Sequence, residues 1–225
     1  MTYLELVNRV KQETGVAGSD ITTVVGLTKE MKRIADWTAS AWEDIQNERQ
    51  DFEFHRKFFT FNTVVGQQVY EAGSGLDINL SDFATWRNHS FRIYRTVDGT
   101  NNEIDLTQWL NYSDFRDYFL FGTLRSVTQR PKDITIDPSD KLVLGFTPDD
   151  VYTVVGEYYR SPQILSVDAD VPIIPSEFHM IIVYETMISY GYHNAASEQI
   201  LRGKEKLAKL KNRLIQRYTP SITVG

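Results

Sequence analysis

The chain has 225 residues, of which 41% are hydrophobic and 12% aromatic, so it can bury the core of one domain or of one domain with a large insertion. It contains no cysteine, which excludes disulfides and thiolate metal sites and suits assembly in a reducing cytoplasm. The net charge of -6 argues against a general nucleic-acid binder. No stretch is typical of a signal peptide or a membrane span, so we expect no membrane partner.

Two helices are predicted in the first quarter of the chain. Apolar residues at helical spacing over residues 3–14 indicate the first, which ends at Gly15, where a left-handed C-cap forms easily. The second begins near Thr28, a plausible N-cap, and has an apolar stripe over residues 31–45. Trp37 lies off the centre of this stripe. It therefore belongs either to a subunit interface or to a wide core face.

The middle of the chain is predicted to form β-strands, because the apolar period changes to two after residue 57. The first two strands are expected to pair as a hairpin, and the next two to pair across the Asp98-Gly99 turn. The aromatic segment from Trp109 to Phe121 predicts a short helix. The predicted strands cover residues 58–63, 67–70, 91–97, 103–106, 133–136, 141–146 and 152–159.

The helical period returns in the last quarter of the chain. One long buried helix is predicted after Pro175, and a final helix from Ser197 has leucines on one side and lysines on the other. Pro220 ends the final helix, because proline cannot donate the backbone hydrogen bond. The residues that follow are expected to be extended.

Helices at both ends with strands between them predict an α+β fold, in which a helical bundle carries a central antiparallel β insertion. We assign residues 1–56 and 172–219 to the bundle and residues 57–171 to the insertion with its short helix. Residues 220–225 form the extended C-terminal tail in this assignment.

The charge is unevenly distributed along the chain. Seven basic and two acidic residues between Ser197 and Pro220 give this arm a charge of +5, which leaves -11 for the rest. A basic arm on an acidic body often marks an interaction surface, although a solvated helix face is the commoner explanation. The arm residues predicted to contact a partner are Arg202, Lys206, Lys209, Arg213, Arg217, Tyr218, Ile222 and Val224.

The sequence has no complete motif for catalysis, cofactor binding or metal binding. It contains no phosphate-binding loop, nucleophile elbow, His-Glu-x-x-His or dinucleotide fingerprint. Asp168 and Asp170 form a D-x-D pair without the Gly and Glu of a calcium loop. Asp137 and Asp140 are typical of a turn rather than of glycosidase carboxylates. We therefore expect no catalytic, cofactor-binding or metal-binding residues.

Several stretches, in their order along the chain, resemble the head-to-tail adaptor (connector) proteins of podovirus-type phages. They are TTVVGLT at residues 22–28, WTASAWEDIQ at residues 37–46, and the segment from Arg130 to Met187, which includes LGFTPDDVYTVVGEYYRSP and VPIIPSEFHMIIVYETM. The last segment carries the strongest likeness.

The resemblance implies a structural protein of the virion and not an enzyme. Members of this family form a dodecameric ring beneath the portal, extend the DNA channel and provide the tail platform. The implied partners are the portal protein, tail or nozzle proteins, identical subunits and genomic DNA that passes without specific binding. We expect the basic arm with its C-terminal tail to form the contact with the portal. The implied location is the head-tail junction, reached after assembly in the host bacterial cytoplasm, with a role in DNA ejection. The alternatives are a tail-associated polysaccharide hydrolase and a DNA-packaging accessory protein that binds DNA.

Overall fold

The computed structural model describes residues 1–49 and 51–219. The chain divides into two compact units. The first, the helical unit, consists of Met1–Phe54 and Pro162–Gly225, and the second, the β unit, consists of His55–Ser161. The fold is α+β, which confirms the predicted class.

Five α-helices, eleven strands and several short 3-10 or π-helical turns make up the regular structure of the described residues. The helices are α1 (Tyr3–Thr14), α2 (Lys29–Asn47), α3 (Tyr112–Phe115), α4 (Met180–His193) and α5 (Ser197–Tyr218). The strands are β1 (Arg56–Asn62), β2 (Val69–Tyr70), β3 (Ala72–Gly73), β4 (Ile78–Asn79), β5 (Phe83–Trp86), β6 (Arg92–Arg95), β7 (Ile104–Asp105), β8 (Thr107–Trp109), β9 (Asp133–Ile136), β10 (Leu142–Leu144) and β11 (Tyr152–Arg160).

Local sequence signals account for the ends of the first two helices. Thr2 and Glu5 form a capping box that satisfies free N–H groups at the start of α1. Gly15 ends this helix with a φ of 72°, a left-handed conformation that glycine adopts without strain. Thr28 occupies the N-cap position of α2, as predicted, but its side chain makes no capping hydrogen bond to the described backbone.

The helical core is built around α4, which packs against α1, α2 and α5. Buried residues occur on all sides of α4, among them Ile181, Val183 and Met187. A helix that is covered on every face needs no polar stripe. Trp42 from α2 and Phe178, which precedes α4, add large aromatic side chains to this core.

The chain returns to the helical unit at Pro162, earlier than the predicted boundary at residue 172. Gln163 attaches the returning segment to α2. Its side-chain oxygen accepts a hydrogen bond from the Trp42 indole N–H at 3.2 Å, and its backbone N–H donates to the side chain of Gln46 at 2.7 Å. These contacts explain why the segment lies with the bundle.

Two main sheets form the β unit. The five-stranded sheet has the order β1-β11-β6-β7, with β5 also paired to β11, and all of these pairings are antiparallel. The four-stranded sheet has the order β2-β10-β9-β8, and its β8–β9 pairing is parallel. The short strands β3 and β4 also pair in parallel, so the region is not uniformly antiparallel.

The hairpin predicted from residues 58–63 and 67–70 is wrong. Strand β1 pairs with β11 and β2 pairs with β10, so the two predicted partners belong to different sheets. An alternating pattern identifies the faces of a strand but not its neighbour. The second predicted pair is confirmed, because β6 and β7 pair antiparallel. Their connection is a 3-10 helical segment, Thr96–Asn102, rather than a tight turn.

The aromatic segment that was predicted as a short helix contains α3 and a π-helical turn, Arg116–Leu120. Phe115 and Phe119 are buried against Val143 of β10 and form a third, smaller core. The Trp109 indole N–H donates to the Asp133 carboxylate at 2.9 Å. The segment therefore covers part of the four-stranded sheet.

Candidate interaction surfaces

The D-x-D pair of the sequence holds loops in place. The Asp170 carboxylate accepts hydrogen bonds from the backbone N–H groups of Ser166 and Val167, at 2.6 and 2.8 Å. These bonds lower the pKa of Asp170. Asp168 accepts a backbone hydrogen bond from Val24 at 2.6 Å. Among residues 1–49 and 51–219, no group of three or more acidic or histidine side chains could hold a metal ion.

None of the described helices is both long enough and apolar enough to cross a membrane.

Two histidines are buried and have lowered pKa values. Burial and the nearby Arg160 charge lower the pKa of His55 to about 4. Burial and the positive N-terminal amino group lower the pKa of His179, whose Nε2 atom lies 3.0 Å from the carbonyl oxygen of Ile174. Both rings are therefore neutral at pH 7, and their burial is typical of core histidines rather than of bases open to a substrate.

Helix α5 packs closely on α4 through two glycines. A Cβ atom on Gly203 would come within 2.8 Å of Ile188, and one on Gly191 of α4 would come equally close to Ile200. The backbones of the two helices can approach this closely only because both positions lack a side chain. Leu207, four residues after Gly203 on α5, is buried in the helical core. The helical part of the basic arm, Ser197–Tyr218, therefore belongs to the folded helical unit.

Several cations of α5 bind acids of the same unit. Arg202 donates to the carbonyl oxygen of Glu13 at 2.6 Å and lies 3.1 Å from the Glu13 carboxylate. Lys211 pairs with Glu48, the C-cap residue of α2, and with Glu185 of α4. These pairs join α5 to three other helices, and they neutralise part of its charge.

Cations in the last two turns of α5 also pair with an acid of the helical unit. Arg217 lies 2.5 Å from the carboxylate of Glu177, and Arg213 lies 4.0 Å from it. Lys209 pairs with Glu205, one turn earlier on α5, at 2.7 Å. Such exposed pairs contribute little to stability, but they reduce the positive potential of the helix.

The five cations of the predicted arm contact are exposed. They are Arg202, Lys206, Lys209, Arg213 and Arg217. The Lys206 ammonium lies 5.4 Å from the centre of the Tyr184 ring, at cation–π distance. The arm thus presents a basic face in which several of the charges are already paired.

The three uncharged residues of the predicted arm contact, Tyr218, Ile222 and Val224, do not contribute to this basic face. The half-buried ring of Tyr218 packs edge-on against Phe54 at 6.4 Å and Phe178 at 5.8 Å, so it belongs to the helical unit's own packing. Ile222 and Val224 lie outside the described residues.

Trp37 lies where α2 meets α4. Its half-buried ring is 5.4 Å from His193 and 6.5 Å from Tyr190, both in edge-on arrangements, and the Arg33 guanidinium is 5.9 Å from its centre. One edge of this group of side chains therefore remains available to solvent.

Phe58 is an exposed surface residue for which no role was predicted. Its side chain is 83% exposed in the middle of β1, on the same face as the exposed Thr60 and Asn62. The alternation of β1 contained the signal, because it places one phenylalanine among polar residues. A large apolar side chain at such a position is typical of a contact surface.

The cations near Phe58 are neutralised. Glu157, the register partner of Phe58, accepts a hydrogen bond from Arg87 and lies 3.6 Å from Arg56. A shallow pocket of about 250 Å³ lies between Phe58, Arg87 and Arg92. Arg92 pairs with Glu103 and Asp105, so three cations near Phe58 are balanced by three acids and the surface is close to electrically neutral.

A family model matches nearly the whole chain. The model of the family described as SU10 adaptor protein matches residues 1–224, which includes both compact units. No curated protein matches the chain. The match confirms the resemblance to phage head-to-tail adaptors that the sequence motifs indicated.

Proposed function

The chain belongs to the SU10 adaptor protein family, and from this membership we propose that it is a structural head-to-tail adaptor (connector) of a tailed phage. Identical subunits, twelve in number by the family resemblance, form a ring beneath the portal. The ring extends the DNA channel and provides the attachment platform of the tail. The observation that carries this proposal is the family match over residues 1–224.

We propose that the protein acts through contacts and not through catalysis. Exposed large apolar side chains occur on both units, for example Phe58 and Val97 on the β unit and Leu201 on the helical unit. Such side chains are typical of surfaces that become buried on assembly. The partners are other copies of the chain, the portal protein and the tail or nozzle proteins.

The basic face of α5 is the proposed portal contact. Arg202, Lys206, Lys209, Arg213 and Arg217 are exposed along one helix, and Tyr218 ends it. Rim cations of this kind direct association and orientation more than they add affinity. We propose that the edge of the Trp37 group on α2 contributes to the contact between neighbouring subunits.

The DNA passes through the ring without specific binding in this proposal. A net charge of -6 disfavours retention of a polyanion, which suits a channel through which the genome is ejected. The protein is placed at the head-tail junction of the virion, after assembly in the host bacterial cytoplasm.

Electron microscopy of the protein mixed with the portal protein of the same phage tests this function. We expect a closed ring with twelve copies of the chain on one pole of the portal. Absence of any complex between the two proteins, or copies scattered over the portal surface without a ring, would contradict the proposal.

A further inference from the structure

The first half of the basic face consists of three exposed cations on one side of α5, Arg202, Lys206 and Lys209. They lie within about 60° of one another around the helix axis and span about 11 Å along it. The Lys206 ammonium lies over the Tyr184 ring and has no acidic partner in the part of the chain that the structure describes. This half of the basic face can therefore bind carboxylates of another molecule.

Helix α2 has an acidic face of similar length, formed by Asp36, Glu43 and Asp44. These acids lie within about 100° of one another around the axis, on the side away from the buried Trp42, and span about 12 Å. Asp36 and Asp44 are exposed, and Glu43 is half-buried. Asp36 pairs with Lys32 at 2.6 Å, whereas Glu43 and Asp44 make no ion pair with any described residue. Two carboxylates of this face are therefore available to cations of another molecule.

The two faces lie on different sides of the helical unit. Lys211 of α5 pairs with Glu48 at the end of α2, and it lies about 160° around the helix from the centre of the basic face. On the opposite side of α5, Arg202 of the basic face pairs with Glu13 of α1. A ring of identical subunits needs two different surfaces that fit each other, and these faces satisfy that condition.

We propose that the first half of the basic face of one copy binds the acidic face of α2 on the next copy in the ring. Three cations then meet three acids over nearly the same length, so the two surfaces are complementary in charge. Lys206 and Asp44 are exposed and have no ion-pair partner among the described residues, so we place them opposite each other. Trp37, about two turns before Asp44, lies at the edge of the acidic face, in agreement with its proposed place between subunits. The inference rests on the proposed ring, and it leaves residues 213–218 of the basic face for the portal.

The contact selects the faces that meet rather than holding two copies together. Exposed ion pairs add little affinity, but they direct association and disfavour contacts between like charges. Closure of the ring therefore still depends on the portal.

Reversal of one charge on each face tests this contact, with electron microscopy of rings on the portal as the measurement. Lys206→Glu and Asp44→Lys each place like charges opposite each other, so each should give at least about tenfold fewer closed rings. The double variant with both changes restores opposite charges and should recover most of the rings. Lys132→Glu, the same change at an exposed lysine of the β unit, is the control and should assemble like the wild type. Thermal melting of each variant checks that it folds.

The double variant distinguishes this contact from a contact of Lys206 with the portal. If Lys206 binds the portal, Asp44→Lys does not restore the rings that Lys206→Glu loses, and the inference is wrong. Normal rings from either single variant also contradict it. If the wild-type protein forms no ring on the portal, the adaptor function fails and this contact fails with it.

Disulfide trapping provides an independent test, because the chain has no cysteine of its own. Lys206→Cys combined with Asp44→Cys is assembled on the portal and oxidised, and we expect a ladder of covalent oligomers on a non-reducing gel. The matched control combines Asp44→Cys with Ala208→Cys, which is exposed on α5 about 140° from the centre of the basic face, and should give no ladder. A cross-linked monomer, no cross-link, or an equal ladder from the control would overturn the inference.

Discussion

His55 shows how one buried side chain makes stability depend on pH. Burial lowers its pKa from 6.5 to about 4. The unfolded chain therefore binds a proton at a higher pH than the folded protein does. The stability that comes from keeping this ring neutral is complete above about pH 6.5, and it is lost as the pH falls towards 4.

We expect His55→Phe to flatten this dependence. Between pH 7 and pH 4, the free energy of unfolding of the wild type should fall by about 3 kcal/mol more than that of the variant. Urea unfolding at several pH values measures the difference. His89→Asn is the control, because His89 is exposed and asparagine tolerates its positive φ of 58°. Equal acid dependence in wild type and His55→Phe would contradict the assignment.

Features that depend on residues close together in the sequence could be predicted. Contacts between residues far apart in the sequence could not. The basic residues of α5 were recognised from the sequence. Their pairing with Glu13, Glu48 and Glu177 was not, because those acids come from segments far away in the chain. The alternation of β1 indicates that Phe58 lies on the polar face of the strand, but its neighbour Glu157 comes from the distant strand β11.

The same distinction holds for whole elements. Helix α1 begins and ends where its capping residues indicate, since capping is a local interaction. The hairpin prediction failed because β1 pairs with β11, about one hundred residues later in the chain. The segment around Gln163 was assigned to the insertion because its role, a hydrogen bond to α2, leaves no periodic pattern.

The α4–α5 pair depends on a glycine that a larger residue should disrupt. Gly203→Leu would place side-chain atoms against Ile188 and against the backbone oxygen of Tyr184. Overpacking of this kind costs about 1–3 kcal/mol. Thermal or urea unfolding should show the loss. Ala208→Leu, at an exposed position on the same helix, should change stability by less than about 0.5 kcal/mol. Equal stability of the two variants would contradict the claim that the close contact of α4 and α5 requires a glycine at residue 203.

At the scale of the whole molecule, we expect the isolated chain to associate weakly and the portal to promote ring closure. Each subunit carries a charge of -6, so copies repel one another in solution. A closed ring needs the same contact repeated around an axis, and a portal that binds each copy supplies that arrangement. Sedimentation velocity of the purified protein should show mainly monomer, and addition of portal should produce one large species. A stable ring of the purified protein alone would contradict the role of the portal.

Weak DNA binding is the second expectation for the whole molecule. We expect duplex DNA to bind with a Kd above about 1 µM at physiological salt, without sequence preference. The body of the protein is acidic, and the Glu177 carboxylate pairs with Arg213 and Arg217 at the basic end of α5. Fluorescence titration with labelled duplexes measures the affinity. Sub-micromolar, sequence-selective binding would favour the DNA-packaging accessory protein instead.

A matched pair of variants separates the effect of ion pairing from that of net charge on DNA binding. Glu177→Gln removes the partner of Arg213 and Arg217, so both cations become available to phosphates. Glu198→Gln changes the net charge by the same amount in the first turn of α5. We expect Glu177→Gln to tighten DNA binding at low salt by several-fold more than Glu198→Gln does. If the two variants bind DNA equally, the pairs at Glu177 do not mask the basic face.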